Sequence, residues 1–569
     1  MDQELTNYFS NKVNELLDGI DNGDFTKEII PDKYTWEHLL GLYLLRDSLD
    51  GAEDLYMQLY DLAIKSGEKY ISQKAERGET INIAFQSYSA AQWPAEGVYR
   101  KFESTPGVDV KVIISPLADR KRESALDSYK KTLSWFKDNG YNVAEGMNME
   151  TFGLYGWDKL GGYPDVLYQL SSWFMSLPGI QWYCKLPLRC LVGYIQYGMY
   201  LIDNNDGSFA VKEVYNKEIF NSIWRVYCES TYNLEGYKKH QFLGGENVRY
   251  SGYAKMDYFY GAEEPGEDVI RKLWKIPEGK NPGDMKKIII APHYSVGDNG
   301  LLLLSTFKRN AWFWLYLAEK YKDKVSFIFK PHPNLRTASV EYKLFRSYEE
   351  FDEYVAKWDS LPNGSAIQEA DYLKVFNTSD AMIMDSGSFL GEYLYTGKPL
   401  LYLTRPEQCF LELGKKLVDV YYKTPGDNYS EIEAFIQNVV IDGNDEMKEK
   451  REKIFREEFD YVKTNGMTAS DYICNEVFEL IRGCGILPLN EVGIQRTGFA
   501  VSCDIGEALF PLRSTLLQQT AHRSDKNPLR LREHLLHIAA AVRADIEAVH
   551  IVNDRVIRKD ALRIVCFVI

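Results

Sequence analysis

The chain holds 569 residues, 45% of them hydrophobic and 14% aromatic, enough for two packed cores with appendages and too apolar for large-scale disorder. A formal net charge of −15 excludes a dedicated nucleic-acid binder, which carries an excess of basic residues, but leaves room for a local basic pocket. No run of about 18 apolar residues occurs, so no transmembrane helix is expected. The opening MDQELTNYFSNK lacks the basic and apolar regions of a secretion signal. Eight cysteines, at 184, 190, 228, 409, 474, 484, 503 and 566, form no CxxC pair, which points to a reduced cytoplasmic protein without a disulfide framework or zinc site.

Residues 1–80 read as helical, with apolar residues at helical spacing through YTWEHLLGLYLLRDSLDGAEDLYMQLYDLAIKSGEKYI. At Ile81 the period changes. INIAFQSYS reads as a buried strand, AEGVYRKFES as a helix and VDVKVIISP as a second strand. YPDVLYQLS, RCLVGYIQYG and GENVRYSGYAKMD continue in that style. This alternation predicts a doubly wound parallel sheet over 81–276. PEGKNPGDMKK, rich in Pro, Gly and charge, reads as a linker. A second α/β unit over 284–482 follows, with KKIIIAPHYS, the helix NAWFWLYLAEKY, VSFIFKPHP and SDAMIMDSGSFLGEYLYTGKPLLYL. From 486 to 569 the composition shifts: no Tyr or Trp follows Tyr472, and His522, His534, His537 and His550 make up half of the eight histidines. That tail reads either as an appended domain or as a segment of foreign coding origin, and no role is assigned to it.

Three polar clusters in the second unit each follow a buried apolar run. Pro292-His293-Tyr294-Ser295 follows KKIII, Lys330-Pro331-His332-Pro333 follows VSFIF, and Asp385-Ser386-Gly387-Ser388 follows AMIM. Residues just past the carboxyl ends of parallel strands line the ligand crevice. His332, held between two prolines, suits donation to a phosphate oxygen or proton transfer near neutral pH; the plain alternative is a packing histidine at a strand end. His293 has local partners in Tyr294 and Ser295. Ser386, Gly387 and Ser388 offer hydroxyls and backbone N–H groups where a helix begins, a place that favours phosphate, although either serine is also a natural N-cap. Glu392 lies one turn after Ser388, facing a ribose or merely solvent. In the first unit, Gln196-Tyr197-Gly198 ends a strand and faces the opposite wall. Trp93-Pro94-Ala95-Glu96 contacts an acceptor or simply starts a helix. No metal-ligand spacing, dinucleotide fingerprint or P-loop is present, so neither a metal nor a cofactor is expected.

GYIQYG, SGYAKMD, IIIAPHYS, FIFKPHPNL, WDSLPNGSAIQEADYLKVF and SDAMIMDSGSFLGEYLYTGKPLLYL, in this order, resemble the CDP-glycerol glycerophosphotransferase family of teichoic acid and capsule synthesis, over residues 80–480. The resemblance implies a GT-B fold, in which two Rossmann-like domains face a cleft and the second holds the nucleotide donor. It implies transfer of a polyol phosphate from a CDP-linked donor to a hydroxyl of a wall or capsule polymer, at the inner face of the cell membrane. It also implies a polymer or lipid-linked acceptor, peripheral membrane contact and no nucleic acid. By motif, Lys330, Ser386, Gly387, Ser388 and Glu392 fall to donor binding. His332, His293 and Tyr197 fall to the chemistry.

One departure concerns the base. Better-known members of the family carry a His-Gly pair where this chain has Tyr197-Gly198. A phenol of ordinary pKa near 10 is a poor base at neutral pH. A GT-B glycosyltransferase using a nucleotide sugar, and a non-catalytic scaffold of capsule assembly, stand as the competing readings.

Overall fold

The computed structural model describes residues 52–118, 122–172, 176–177, 190–203, 210–263, 265–300, 302–367 and 372–482. The expectations for 1–51 and for the tail 486–569 lie outside the described residues.

Strands form where the sequence offers short unbroken runs of Ile, Val, Leu and Phe. In β8 (Lys286–Ala291) and β9 (Val325–Phe329) nearly every side chain is buried, as expected for parallel strands covered on both faces. Burying each such Ile or Phe stabilises the fold by about 1.5–3 kcal/mol. The first sheet contains β1 (Ile81–Ser87), β2 (Val108–Ile114), β3 (Val143–Glu145), β4 (Val166–Gln169), β5 (Leu191–Ile195), β6 (Arg225–Cys228) and β7 (Val248–Tyr250). Its order is β3-β2-β1-β4-β5-β6-β7. The second contains β8, β9, β10 (Gly364–Ala366), β11 (Ala381–Met384), β12 (Leu400–Thr404) and β13 (Tyr422–Pro425), in the order β10-β9-β8-β11-β12-β13. Neighbours in both sheets pair in parallel. The fold is therefore α/β with two doubly wound sheets, the GT-B-like arrangement the resemblance implied. The winding reverses between β1 and β4 in one sheet and between β8 and β11 in the other.

The described part of the N-terminal region is one helix, Ala52–Glu76. It packs on the first sheet, where Lys74 forms a buried ion pair with Asp165 at 2.7 Å. The helix Ala469–Arg482 follows the second sheet in sequence but also packs on the first. Its Ile473, Cys474, Val477 and Ile481 share a core with Phe85, Tyr99 and Tyr168, and Glu476 pairs with Arg225 and Arg249, each at 3.2 Å. Trp93 is buried against Phe85 and Phe136, and a helix starts at Glu96, so this segment is core and helix start.

The units meet where the chain leaves β5. Met199, Leu201 and Ile202 run over the second unit. A Cβ on Gly387 would stand 2.3 Å from Ile202 Cγ1, one on Gly391 2.1 Å from Met199 Sδ, and one on Gly414 2.1 Å from the Leu201 carbonyl. Those three glycines are fixed by close approach rather than by backbone angle.

Candidate active site

The second sheet places β9, β8 and β11 side by side, so their carboxyl ends deliver the three polar clusters to one crevice at the reversal of winding. The Lys330 N–H donates to the Ile290 carbonyl at 2.8 Å and the His332 N–H to the Pro292 carbonyl at 3.1 Å, which locks the KPHP turn to the end of β8. The His293 and His332 rings then lie 5.1 Å apart, with Tyr294 4.6 Å from His332.

Asp385 turns inward. Its carboxylate accepts from the His293 N–H at 2.6 Å, the Thr306 N–H at 2.5 Å, Thr306 Oγ1 at 2.9 Å and Ser305 Oγ at 3.3 Å. Burial nevertheless lifts its pKa to about 6, against the pull of those bonds. It is thus the peg that joins the ends of β8 and β11.

Both imidazoles are neutral at pH 7. Burial, aided by the Lys330 charge, lowers His332 to about 4. Burial and the neighbouring His332 push His293 well below its usual range. Proton donation to a leaving group at neutral pH, one expectation for His332, is therefore not available to the unliganded site. Each ring also has a defined tautomer. His332 Nδ1 accepts the Asn334 N–H at 3.1 Å. His293 Nδ1 accepts the Ser295 N–H at 3.3 Å, with Ser295 Oγ 2.8 Å away. A neutral ring accepting at Nδ1 carries its proton on Nε2. The crevice thus holds two Nε2–H donors.

Ser386 and Gly387 follow directly, and the helix Ser388–Glu392 has Gly387 as its N-cap, with no side chain capping it. The N-cap role expected of the serines falls to the glycine. Glu392 is 1% exposed, so it is no solvated helix charge. It accepts a short hydrogen bond from Tyr372 Oη, and Tyr253 Oη lies 3.5 Å away. Burial raises its proton affinity, opposed by Lys255, Tyr372 and Lys330. Lys330 Nζ sits 4.9 Å from the Tyr372 ring centre, within cation–π range. Tyr197 reaches this group through its backbone, its carbonyl accepting from Tyr253 Oη at 2.5 Å.

The structure thus brings His293, His332, Lys330, Ser386, Gly387 and Glu392 to one crevice and ties Tyr197 to its edge. Sequence reading placed Ser251–Asp257 on the floor between the units but missed that Tyr253 and Lys255 meet Glu392 and Tyr372, more than a hundred residues further along the chain. It also missed a cavity of about 480 Å³ beside the ends of β12 and β13, lined by Thr306, Lys308, Arg309, Arg405, Glu407 and Asp427 among others. Arg405 and Glu407 pair there at 2.9 Å. Among the described residues, no group of three or more His, Cys, Asp or Glu is arranged to hold a metal ion.

Comparison with known proteins adds the following. No curated protein matches the chain. Among solved structures, the wall teichoic acid polymerase TagF is similar at 13% identity, over 77% of this chain and 98% of that one, with a TM-score of 0.45. The UDP complex of MnaA from S. aureus is similar at 12% identity, over 73% of this chain and 100% of that one, with a TM-score of 0.42. UDP-GlcNAc 2-epimerase from Neisseria meningitidis bound to UDP-GlcNAc is similar at 16%, over 70% and 100%, also with a TM-score of 0.42. Residues 215–479 match the family described as CDP-Glycerol:Poly(glycerophosphate) glycerophosphotransferase. That stretch contains the whole strand-end crevice of the second unit, and over it the chain is similar to the transferases of that family.

Proposed function

We propose that the second unit binds CDP-glycerol with its diphosphate against Lys330, His332, His293 and the Ser386–Gly387–Ser388 turn, while the first unit presents a hydroxyl of the growing polymer. The observation that carries this reading is the pair of neutral imidazoles, each with an Nε2–H donor, beside the Lys330 ammonium at the reversal of winding. In a chain of net charge −15, such a cluster suits an anion that the rest of the surface repels.

The acceptor oxygen attacks the phosphorus that bears glycerol, and the bond from that phosphorus to the CMP oxygen breaks. The hydroxyl proton passes to a base, and CMP departs with the bonding electron pair. Polymer longer by one glycerol phosphate, and free CMP, are the products. The imidazole and ammonium donors stabilise charge on the diphosphate oxygens as it builds. A diphosphate also raises the proton affinity of nearby imidazoles, so bound donor moves His332 toward the protonated form that assists departure of CMP. Glu392, buried one turn beyond the loop, holds Tyr372 in place beside Lys330.

The work is done at the inner face of the membrane on a lipid-linked or polymeric acceptor, in keeping with the resemblance. No helix among the described residues is long and apolar enough to cross a membrane.

The test incubates the purified chain and a poly(glycerophosphate) primer with CDP-glycerol, CDP-ribitol or UDP-GlcNAc, and measures released nucleotide. CMP from CDP-glycerol is expected. UDP release would instead establish a glycosyltransferase. Binding of CDP without any turnover would establish the scaffold reading.

A further inference from the structure

We propose that Arg405 is a positioning residue of the donor crevice: its guanidinium joins the two stems of the loop between β8 and the helix Phe307–Lys320, and so sets where His293 stands. This rests on the donor reading above, in which the His293 imidazole meets the diphosphate, and adds a residue that acts through the loop rather than on the ligand. Arg405 directly follows β12. Its side chain is 14% exposed. One terminal nitrogen donates to the Gly297 carbonyl at 3.3 Å and to the Ser305 carbonyl at 3.1 Å, and Nε donates to Glu407 at 2.9 Å. One side chain therefore fastens both stems to the end of β12.

The two carbonyls flank the contact that steadies the imidazole. Ser295 Oγ lies 2.8 Å from His293 Nδ1 and accepts the Leu304 N–H at 2.9 Å, which ties the ring to the far stem. Gly297 lies two residues beyond Ser295, and Ser305 one beyond Leu304, so Arg405 closes the loop beside that contact. Gln408 secures the far stem again. Its Nε2 donates to the Leu304 carbonyl at 2.8 Å, while its Oε1 accepts the Arg405 N–H at 3.1 Å. Ser305 and Thr306 in turn donate to Asp385, which accepts the His293 N–H. A shift of the far stem is thus passed to His293 through its ring and through its backbone.

Packing steadies this loop on one side only. Gly297 lies against Tyr342, whose Cε1 would stand 2.4 Å from a Cβ there. On the other side Val296, Ser305 and Arg405 border the cavity of about 480 Å³. The stems face open space there instead of packed side chains, so directional bonds decide where they sit. A guanidinium suits that task, because its five donors are held in a planar fork. A lysine ammonium is a single centre on a flexible stem, and cannot reproduce the same set of bonds.

The experiment is a double-mutant cycle on the full chain, with Arg405→Met, His293→Gln and the two replacements together. It measures kcat and KM for CDP-glycerol with a poly(glycerophosphate) primer, CDP affinity by calorimetry, and thermal unfolding. For Arg405→Met, kcat is expected to fall about 10- to 30-fold while CDP affinity changes less than about 3-fold, because the imidazole acts on charge that builds during reaction. In the His293→Gln background the same replacement should cost no more than about 2-fold, since both changes disable one group. Arg405→Lys should recover part of kcat, and it carries the cycle should Arg405→Met fail to fold. Losses that add in full would mean that Arg405 does not act through His293, and overturn the inference while the donor reading stands. A lowered unfolding temperature with unchanged kcat would make Arg405 a purely structural residue and overturn it as well. Failure of the unaltered chain to release CMP from CDP-glycerol would overturn the donor reading and this inference together.

Discussion

Two crevices of the same construction carry opposite chemistry. Each sheet reverses its winding once, between β1 and β4 and between β8 and β11, and each reversal opens a cleft at the carboxyl ends of the strands. The first is lined by Gln86, Ser87, Tyr88, Ser89, Gln92 and Ser171 among others. Its polar groups are uncharged amides and hydroxyls, joined as Gln169 to Gln86 at 3.1 Å and Tyr88 to Ser171 at 2.9 Å. The second holds two imidazoles and an ammonium, braced by a buried carboxylate. Backbone architecture therefore fixes where the two crevices open, and the few residues past each strand end decide whether the lining is neutral or charged.

The contrast breaks first at His332. Its replacement by Ala should lower turnover about 100-fold or more and leave the circular-dichroism spectrum unchanged. Near-normal turnover would remove the imidazole from the chemistry. Replacing Ser386 and Ser388 together by Ala should weaken CDP about 10- to 100-fold in a calorimetric titration, with equal affinities placing the nucleotide elsewhere.

Acidity offers a smaller effect. An ordinary imidazole titrates at 6.5 and folded His332 at about 4. Between those values the unfolded chain binds the proton and the native chain does not, so acidification favours unfolding there and has no effect through this group above that window. Asp385, raised to about 6 from 3.8, acts in the opposite sense. Comparison with His332→Asn isolates the imidazole. The unaltered chain should lose about 1–2 kcal/mol relative to that variant between pH 7 and pH 4.5 in urea unfolding. A constant difference would mean His332 is not held neutral.

The smallest effect sharpens the comparison from the other side. Ser171→Ala in the first crevice should raise KM for the acceptor a few-fold, leaving CDP affinity unchanged. A parallel loss in both would show that the two crevices do not divide the substrates.

The strands that build both crevices were legible because parallel strands read as plain apolar runs, as INIAFQS, KKIIIA and VSFIF do. β3, β6, β10 and β13 were not, having no apolar run of their own to mark them; β10 is merely GSA and β13 YKTP. The clusters around His293, His332 and Ser386 were legible from their position after those runs. The inward turn of Asp385 was not, since its partners Ser305 and Thr306 precede it by some eighty residues. Nor was the convergence of Lys255 and Lys330 on Tyr372, because no local pattern records a contact between segments that far apart. The return of Ala469–Arg482 to the first sheet was hidden for the same reason. An amphipathic helix states that it packs, and not on what.

That returning helix imposes an order on folding. The chain supplies the strands of the first sheet early, but the core over Phe85, Tyr99 and Tyr168 is not complete until Tyr461, Ile473 and Val477 arrive. The second sheet and its packing helices are contiguous, so they close as a unit while the earlier sheet still lacks one covering. During synthesis from the amino end, the first-made half is the last to be finished. The apolar surface awaiting residues 461–482 is then where a stalled or truncated chain would be captured by chaperones.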